Sequence, residues 1–340
     1  MELDLNTVWF VIVLALLAGY AILDGFDLGV GAWHLFARKD EDRRVLLNSI
    51  GPVWDGNQVW LVTGGGALFA AFPEVYATVF SGFYLAFMVV LFALIFRAVS
   101  IKFRSKETWP AWRSFWDTAF CISSIVASII FGVALGNIIR GIPLDDRFEY
   151  LGTFFDLLNP FSVLVGITTL ALFMMHGALF LVLKTDGDLQ QQARNWSRYG
   201  IIFFISSYTL TVISAFLFLP HIASRYMENP PALIFPGITF VLAFCVPYIF
   251  HRGKSGAAFV ASCATILSTL LFFAVSMFPN IVNSSLDPLN SLNIYNSAST
   301  KKTLGTMLTI AIIGMPLALA YTVYVYRVFR GKIKLDSISY

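Results

Sequence analysis

Three groups of residues in this 340-residue chain have types and spacings that could move protons. Gly51-Pro52-Val53-Trp54-Asp55-Gly56-Asn57-Gln58-Val59-Trp60 puts one acid, two amides and two tryptophans at the head of a run that then stays apolar to Phe72. Leu23-Asp24-Gly25-Phe26-Asp27 holds two acids at i,i+3, hence on one helix face. Arg97 stands near the end of a third apolar run. An ionisable group in a membrane-length helix costs about 2.5–3.5 kcal/mol on insertion scales, so each must face protein, a counter-charge or water. One arginine cannot neutralise Asp24, Asp27 and Asp55 together, so at least one acid must be protonated or linked to water. A proton relay is the chemical reading. The structural alternative is an ion-pair and amide network that locks the first helices together, with Trp54, Asn57, Gln58 and Trp60 as packing and hydrogen-bonding groups.

Other candidates are weaker. Of the four histidines, His34, His221 and His251 fall at segment ends, where a solvated or interfacial imidazole is expected. His176, in Met174-Met175-His176-Gly177-Ala178, is mid-segment beside thioethers, and both His and Met can hold haem iron. No second mid-membrane histidine is present, so a helix-packing role is expected. Cys121, Cys245 and Cys263 are isolated and read as small core residues, with neither a disulfide framework nor a zinc site. Glu74, beside Pro73, reads as a solvated loop acid. Trp109, Trp112, Trp116, Trp196, Tyr199, Tyr321, Tyr324 and Tyr326 lie near segment ends and fit an interfacial aromatic girdle. No phosphate-binding loop, dinucleotide fingerprint or metalloprotease motif occurs at a believable position.

The elements that carry these residues are long apolar runs. The chain is 58% hydrophobic and 13% charged, against about 25% charged in soluble domains. Runs at about 8–36, 49–72, 78–100, 117–139, 160–183, 200–220, 233–250, 257–278 and 304–327 each approach the ~20 residues that cross a bilayer. The expected fold is therefore an all-α polytopic membrane protein of about nine transmembrane helices, with residues 1–340 forming a single integral membrane domain. Short loops favour two four-helix bundles plus one peripheral helix. The acidic leader Met1-Glu2-Leu3-Asp4 is unlike a signal peptide, so the first segment is expected to be retained. Of the 23 Lys and Arg residues, 18 fall after odd-numbered segments or in the C-terminal group Arg327, Arg330, Lys332 and Lys334. Positive residues stay inside, which puts the N-terminus outside and the C-terminus in the cytoplasm. The acids then lie toward the cytoplasmic side, Asp55 about 9 Å from its helix end at 1.5 Å per residue. The polar connection 279–303 reads as a lid or a docking loop. A net charge of +3 gives no reason to expect nucleic acid.

Leu23-Asp24-Gly25-Phe26-Asp27-Leu28-Gly29-Val30-Gly31 resembles a hallmark of subunit II of the cytochrome bd quinol oxidases. So do Asn48 to Leu61 around Gly-Pro-Val-Trp-Asp-Gly-Asn-Gln, Gly64 to Pro73, Ser81-Gly82-Phe83-Tyr84, Phe96-Arg97, Asn159-Pro160-Phe161 and Met277-Phe278-Pro279. The resemblance implies a subunit of a bacterial inner-membrane respiratory oxidase. That complex oxidises quinol, reduces O₂ to water and builds a proton gradient without pumping. It implies a heterodimer with a haem-bearing subunit I that carries two b-type haems, one d-type haem and the quinol-oxidising loop. This chain is then expected to bind no haem or metal, to scaffold subunit I, and to supply a cytoplasmic proton path at Asp55 with Arg97, and at Asp24 and Asp27. A structural quinone and a small accessory subunit accompany some members, and no motif here places either. The alternatives are a stand-alone proton-coupled transporter, which would carry repeats and a broken helix, and a purely structural subunit.

Overall fold

The structure, a computed structural model, describes residues 4–228, 233–333 and 335, except the side chain of Arg225. Met1 to Leu3 of the leader and Lys334 of the basic C-terminal group lie outside those residues. Among the described residues the helices run α1 (Leu5–Trp33), α2 (Asp40–Ile50), α3 (Trp54–Ala71), α4 (Pro73–Gly82), α5 (Tyr84–Phe103) and α6 (Pro110–Arg140). They continue as α7 (Pro160–Lys184), α8 (Gly187–Phe218), α9 (Pro220–Glu228), α10 (Ile234–His251), α11 (Ser255–Met277) and α12 (Lys301–Val328). Eight of them, α1, α5, α6, α7, α8, α10, α11 and α12, are long and apolar enough to cross a membrane.

The second expected crossing, the run at 49–72, holds α3, which has a polar first turn, is not among those eight, and packs along α1. It runs antiparallel to α1: Asn57 meets Leu23 and Asp27, Trp60 lies over Gly19, and Gly64 meets Leu16 and Leu17. Its 18 residues are about 27 Å long, near the thickness of a hydrocarbon core. Helix ends depart from the apolar runs where polar residues extend a helix beyond the membrane layer. Thus α6 starts at Pro110 where the run starts at 117, and α8 starts at Gly187 where the run starts at 200. Residues 40–50 form a separate helix, with Asp40, Glu41 and Asp42 in the first turn, where acids complement the helix dipole. The run expected from 78 begins in α4, and the long helix starts at Tyr84.

Helix α1 packs on α3, α6 and α7, α5 on α6, α7 on α6, α8 and α11, and α10 on α11, with α12 set against α1 and α3. Lipid tails are as apolar as leucine, so helices associate through close packing of small residues. At the α1–α7 seam Gly29 faces Phe173 and Gly177, and a Cβ on Gly177 would come within 2.5–2.7 Å of the Gly29 and Val30 backbone. Gly132 and Gly166 make the equivalent approach between α6 and α7.

At the end opposite the basic residues, the connections 140–159 and 279–303 fold together. The strands Asn280–Val282 and Leu292–Asn293 pair antiparallel, Ile142 N donates to Asn283 O at 3.0 Å, and Ser285 N donates to Ile142 O at 2.9 Å. Ile142, Leu144, Val282, Leu292 and Ile294 are buried with Trp9, Phe72 and Phe83. This polar-looking connection is a packed cap on the helix ends.

Candidate functional site

Asp24 and Asp27 are both fully buried on α1. Gly25 and Gly29 let Phe173 and the α7 backbone close over this stretch, so the acids sit among protein groups. Arg97 of α5, only 1% exposed, forks onto Asp24: Nη1 donates to Oδ2 at 2.9 Å and Nη2 to Oδ1 at 2.6 Å. The same Nη2 lies 3.8 Å from Asp27 Oδ2. Asn57 of α3 reaches in with its Nδ2, which donates to Asp27 Oδ2 at 2.8 Å and to the Leu23 carbonyl at 3.1 Å. The Tyr326 hydroxyl of α12 donates to Asn57 Oδ1 at 2.8 Å.

The four carboxylate oxygens are thus unequal. Both oxygens of Asp24 and Oδ2 of Asp27 face donors, while Asp27 Oδ1 is buried without a partner among the described residues. With both acids ionised, the cluster would hold one uncompensated negative charge out of water, which low-dielectric surroundings penalise heavily. One proton on the pair cancels that charge, and Asp27 Oδ1 is the oxygen free to carry it.

The other sequence candidates divide. Asp55 is exposed on the first turn of α3 and stays outside the buried group, so two carboxylates, and not three, converge on Arg97. Trp54 is buried beneath Lys102, whose Nζ stands 5.8 Å from the ring centroid. Trp60 packs on Gly19, where a Cβ would collide with its ring. Gln58 is half-buried, and its side chain makes no hydrogen bond among the described residues.

A second polar cluster went unseen in the sequence. His34, expected at a solvated segment end, is fully buried, and its Nε2 donates to Asp117 Oδ1 at 2.6 Å. Asp117 also accepts from Arg104 Nε at 2.5 Å and Arg43 Nη1 at 3.0 Å. Arg104 Nη2 and Arg113 Nη1 bracket Asp40 at 2.7 and 3.0 Å. Two girdle aromatics also belong inside. Trp196 is buried and stacked on Trp33 at 5.6 Å, and Tyr326 is the half-buried donor to Asn57. Trp109, Tyr199, Tyr321 and Tyr324 are exposed, as a girdle requires.

The arrangement can be set beside known proteins. Residues 5–329 match the family model for cytochrome bd terminal oxidase subunit II. The chain belongs to that family. It is 36% identical to cytochrome bd-I ubiquinol oxidase subunit 2 of Escherichia coli K12, over 98% of this chain and 97% of that one. It is 34% identical to cytochrome bd ubiquinol oxidase subunit 2 of Bacillus subtilis, over 97% of each. A bd oxidase structure from Geobacillus thermodenitrificans has the same fold, with a TM-score of 0.78 at 18% identity, covering 96% of this chain and 99% of its counterpart.

A bd oxidase subunit raises the question of haem. His176 is buried with both ring nitrogens engaged: Nε2 donates to the Ile22 carbonyl at 3.0 Å, and Nδ1 meets the Ser262 hydroxyl at 2.7 Å. Phe259 stacks on the ring at 4.6 Å and 5°. An imidazole so enclosed has no lone pair free for iron, so His176 does not fit a haem ligand. Among the described residues no group of three or more His, Cys, Asp or Glu side chains is placed to hold a metal ion.

Proposed function

We propose that this chain works in a quinol:O₂ oxidoreductase of the bacterial cytoplasmic membrane as one integral membrane unit. It scaffolds a haem-bearing subunit I and delivers protons to it from the cytoplasm. Reducing O₂ to two waters consumes four electrons and four protons, and quinol oxidation supplies the electrons. If those protons are drawn from the cytoplasm while quinol releases its own outside, charge separates without a pump. The distribution of basic residues supports an N-terminus outside and a C-terminus in the cytoplasm, which sets the buried acid pair toward the supply side. Haems and the quinol-oxidising site belong to subunit I in this reading.

The observation that carries the relay is the inequality of the four oxygens: one guanidinium serves two buried acids and leaves Asp27 Oδ1 unpartnered. Intramembrane carboxylates are the usual carriers of proton relays. Asp27 holds the proton, Arg97 and Asn57 hold its surroundings, and Asp55 on the exposed turn of α3 gathers protons at the rim. A second reading has its own support. The bidentate Asp24–Arg97 pair is the geometry of a structural tie between α1 and α5.

Oxygen consumption by the purified complex, with haem content checked spectrally, separates the readings. Asp27→Asn is expected to cut O₂ reduction by roughly 10²-fold or more, the scale of a lost proton-transfer group, in a complex with its full haem. Asp55→Asn should slow it less, and Asp24→Asn should mainly lower the yield of assembled complex. Unchanged turnover in a fully haemed Asp27→Asn complex would leave only the structural reading.

A further inference from the structure

We infer that Tyr326, on the peripheral helix α12, is a positioning residue for the buried acid pair, acting on Asp27 through the Asn57 amide. The inference rests on the relay reading of Asp27 and adds a control element from a helix that otherwise touches little of the chain.

Of the described α12 residues only Leu304 is buried. The helix is pinned at its two ends. At the capped end its Leu304 carbonyl accepts from Trp9 Nε1 at 3.0 Å. At the basic end Tyr326 reaches Asn57, and the segment beyond is latched to the α7–α8 turn. There Lys184 Nζ donates to Phe329 O at 2.6 Å, Ile333 N donates to Lys184 O at 2.9 Å, and Lys332 pairs with Asp186. Between the pins, Pro316 interrupts the helix ladder.

Asn57 is 2% exposed, so its amide must satisfy itself inside the protein. Its NH₂ serves two acceptors, Leu23 O and Asp27 Oδ2, and its oxygen receives the Tyr326 hydroxyl. A flip would set Oδ1 against a carbonyl and a carboxylate oxygen, so the amide keeps its NH₂ toward Leu23 and Asp27 and its oxygen toward the Tyr326 hydroxyl, which anchors it from the other side. Asp27 Oδ2 is thereby held by an N–H, and Oδ1 remains the oxygen open to a proton. Without the phenol hydroxyl, Asn57 Oδ1 is a buried acceptor with no donor, and the amide loses the contact that fixes it.

The test is infrared difference spectroscopy and oxygen consumption on the assembled complex carrying Tyr326→Phe, with Tyr324→Phe as control. Tyr324 is 66% exposed, two residues away on the same helix. The Asp27 carboxyl band is identified by its loss in Asp27→Asn. Tyr326→Phe is expected to shift that band and slow turnover roughly ten- to a hundred-fold at full haem content, as supporting contacts of a positioned group do; Tyr324→Phe should change neither. If the Phe variant does not assemble, fluorotyrosine at 326, which keeps the hydroxyl and alters only its donor strength, should still shift the band. An Asp27→Asn complex that turns over normally would refute the relay itself. A slow Asp27→Asn complex beside an unshifted band and normal turnover in the Tyr326 variants would overturn the role of Tyr326 alone.

Discussion

At the scale of single residues, burial sorts acids that look alike in the sequence. Asp117 is 1% exposed and accepts from His34, Arg43 and Arg104, while Asp55 lies on an exposed turn. Breaking a buried charged pair by removing one partner costs about 3–5 kcal/mol, because the other charge is left in low dielectric. Asp117→Asn should therefore lower the thermal midpoint of the complex markedly, since Arg104, 1% exposed, loses the carboxylate that two of its nitrogens bond. Asp55→Asn should change stability by no more than about 0.5 kcal/mol, as surface substitutions do, so any effect it has on turnover is read without a folding correction. Thermal scans of the two variants side by side check this. A stable Asp117→Asn complex would mean that the His34 cluster is hydrated and holds nothing in place. The acid pair was legible because Asp24, Asp27, Asn57 and Arg97 interrupt apolar runs. Asp117, His34 and Tyr326 sit where apolar runs end, where a buried polar group and a solvated one leave the same mark in sequence.

At the scale of elements, the sequence marks the layer that is apolar and leaves open where a helix stops. The extensions of α6 and α8 and the separate α2 were hidden because polar turns are as helical as apolar ones once they leave the membrane. Gly25 and Gly29 stand plainly in the sequence of α1, and what they pack against became visible only when α7 was placed. Gly177 meets Gly29 there backbone to backbone. A methyl at that seam must push α1 and α7 apart, and overpacking a tight interior costs about 1–3 kcal/mol. Gly177→Ala should accordingly reduce the yield of assembled complex and lower its thermal midpoint. Gly305→Ala in α12 is the matched control, since its added methyl meets nothing within 4 Å. Alanine is the better helix former by about 0.5–1 kcal/mol, so that variant should be neutral or slightly more stable. Equal behaviour of the two variants would show that the α1–α7 seam has slack, and that the acid pair is not held by glycine packing.

At the scale of the whole molecule, the proposed relay depends on which way the chain faces, because a proton path is useful only if it opens on the side that supplies protons. The two ends of the fold differ in kind. One gathers Arg43, Arg104, Arg113, Lys254 and the C-terminal latch, and the other is closed by the packed cap of residues 140–159 and 279–303. Single cysteines placed on either side of α11 report the orientation directly. Leu289 in the cap is 86% exposed, and Lys254 is exposed at the other end of α11. The native thiols give little background, since Cys121 is buried and Cys245 and Cys263 are half-buried within apolar helices. A membrane-impermeant maleimide should label Leu289→Cys in intact spheroplasts and Lys254→Cys only after permeabilisation. One helix of 23 residues separates the two positions, so labelling of both from outside would mean that α11 does not cross. The reverse pattern would keep the fold and invert it, so that the acid pair lies toward the outer side. In that case Asp27 would lie on the release side of the membrane, and slow turnover in Asp27→Asn would have to be explained by proton exit.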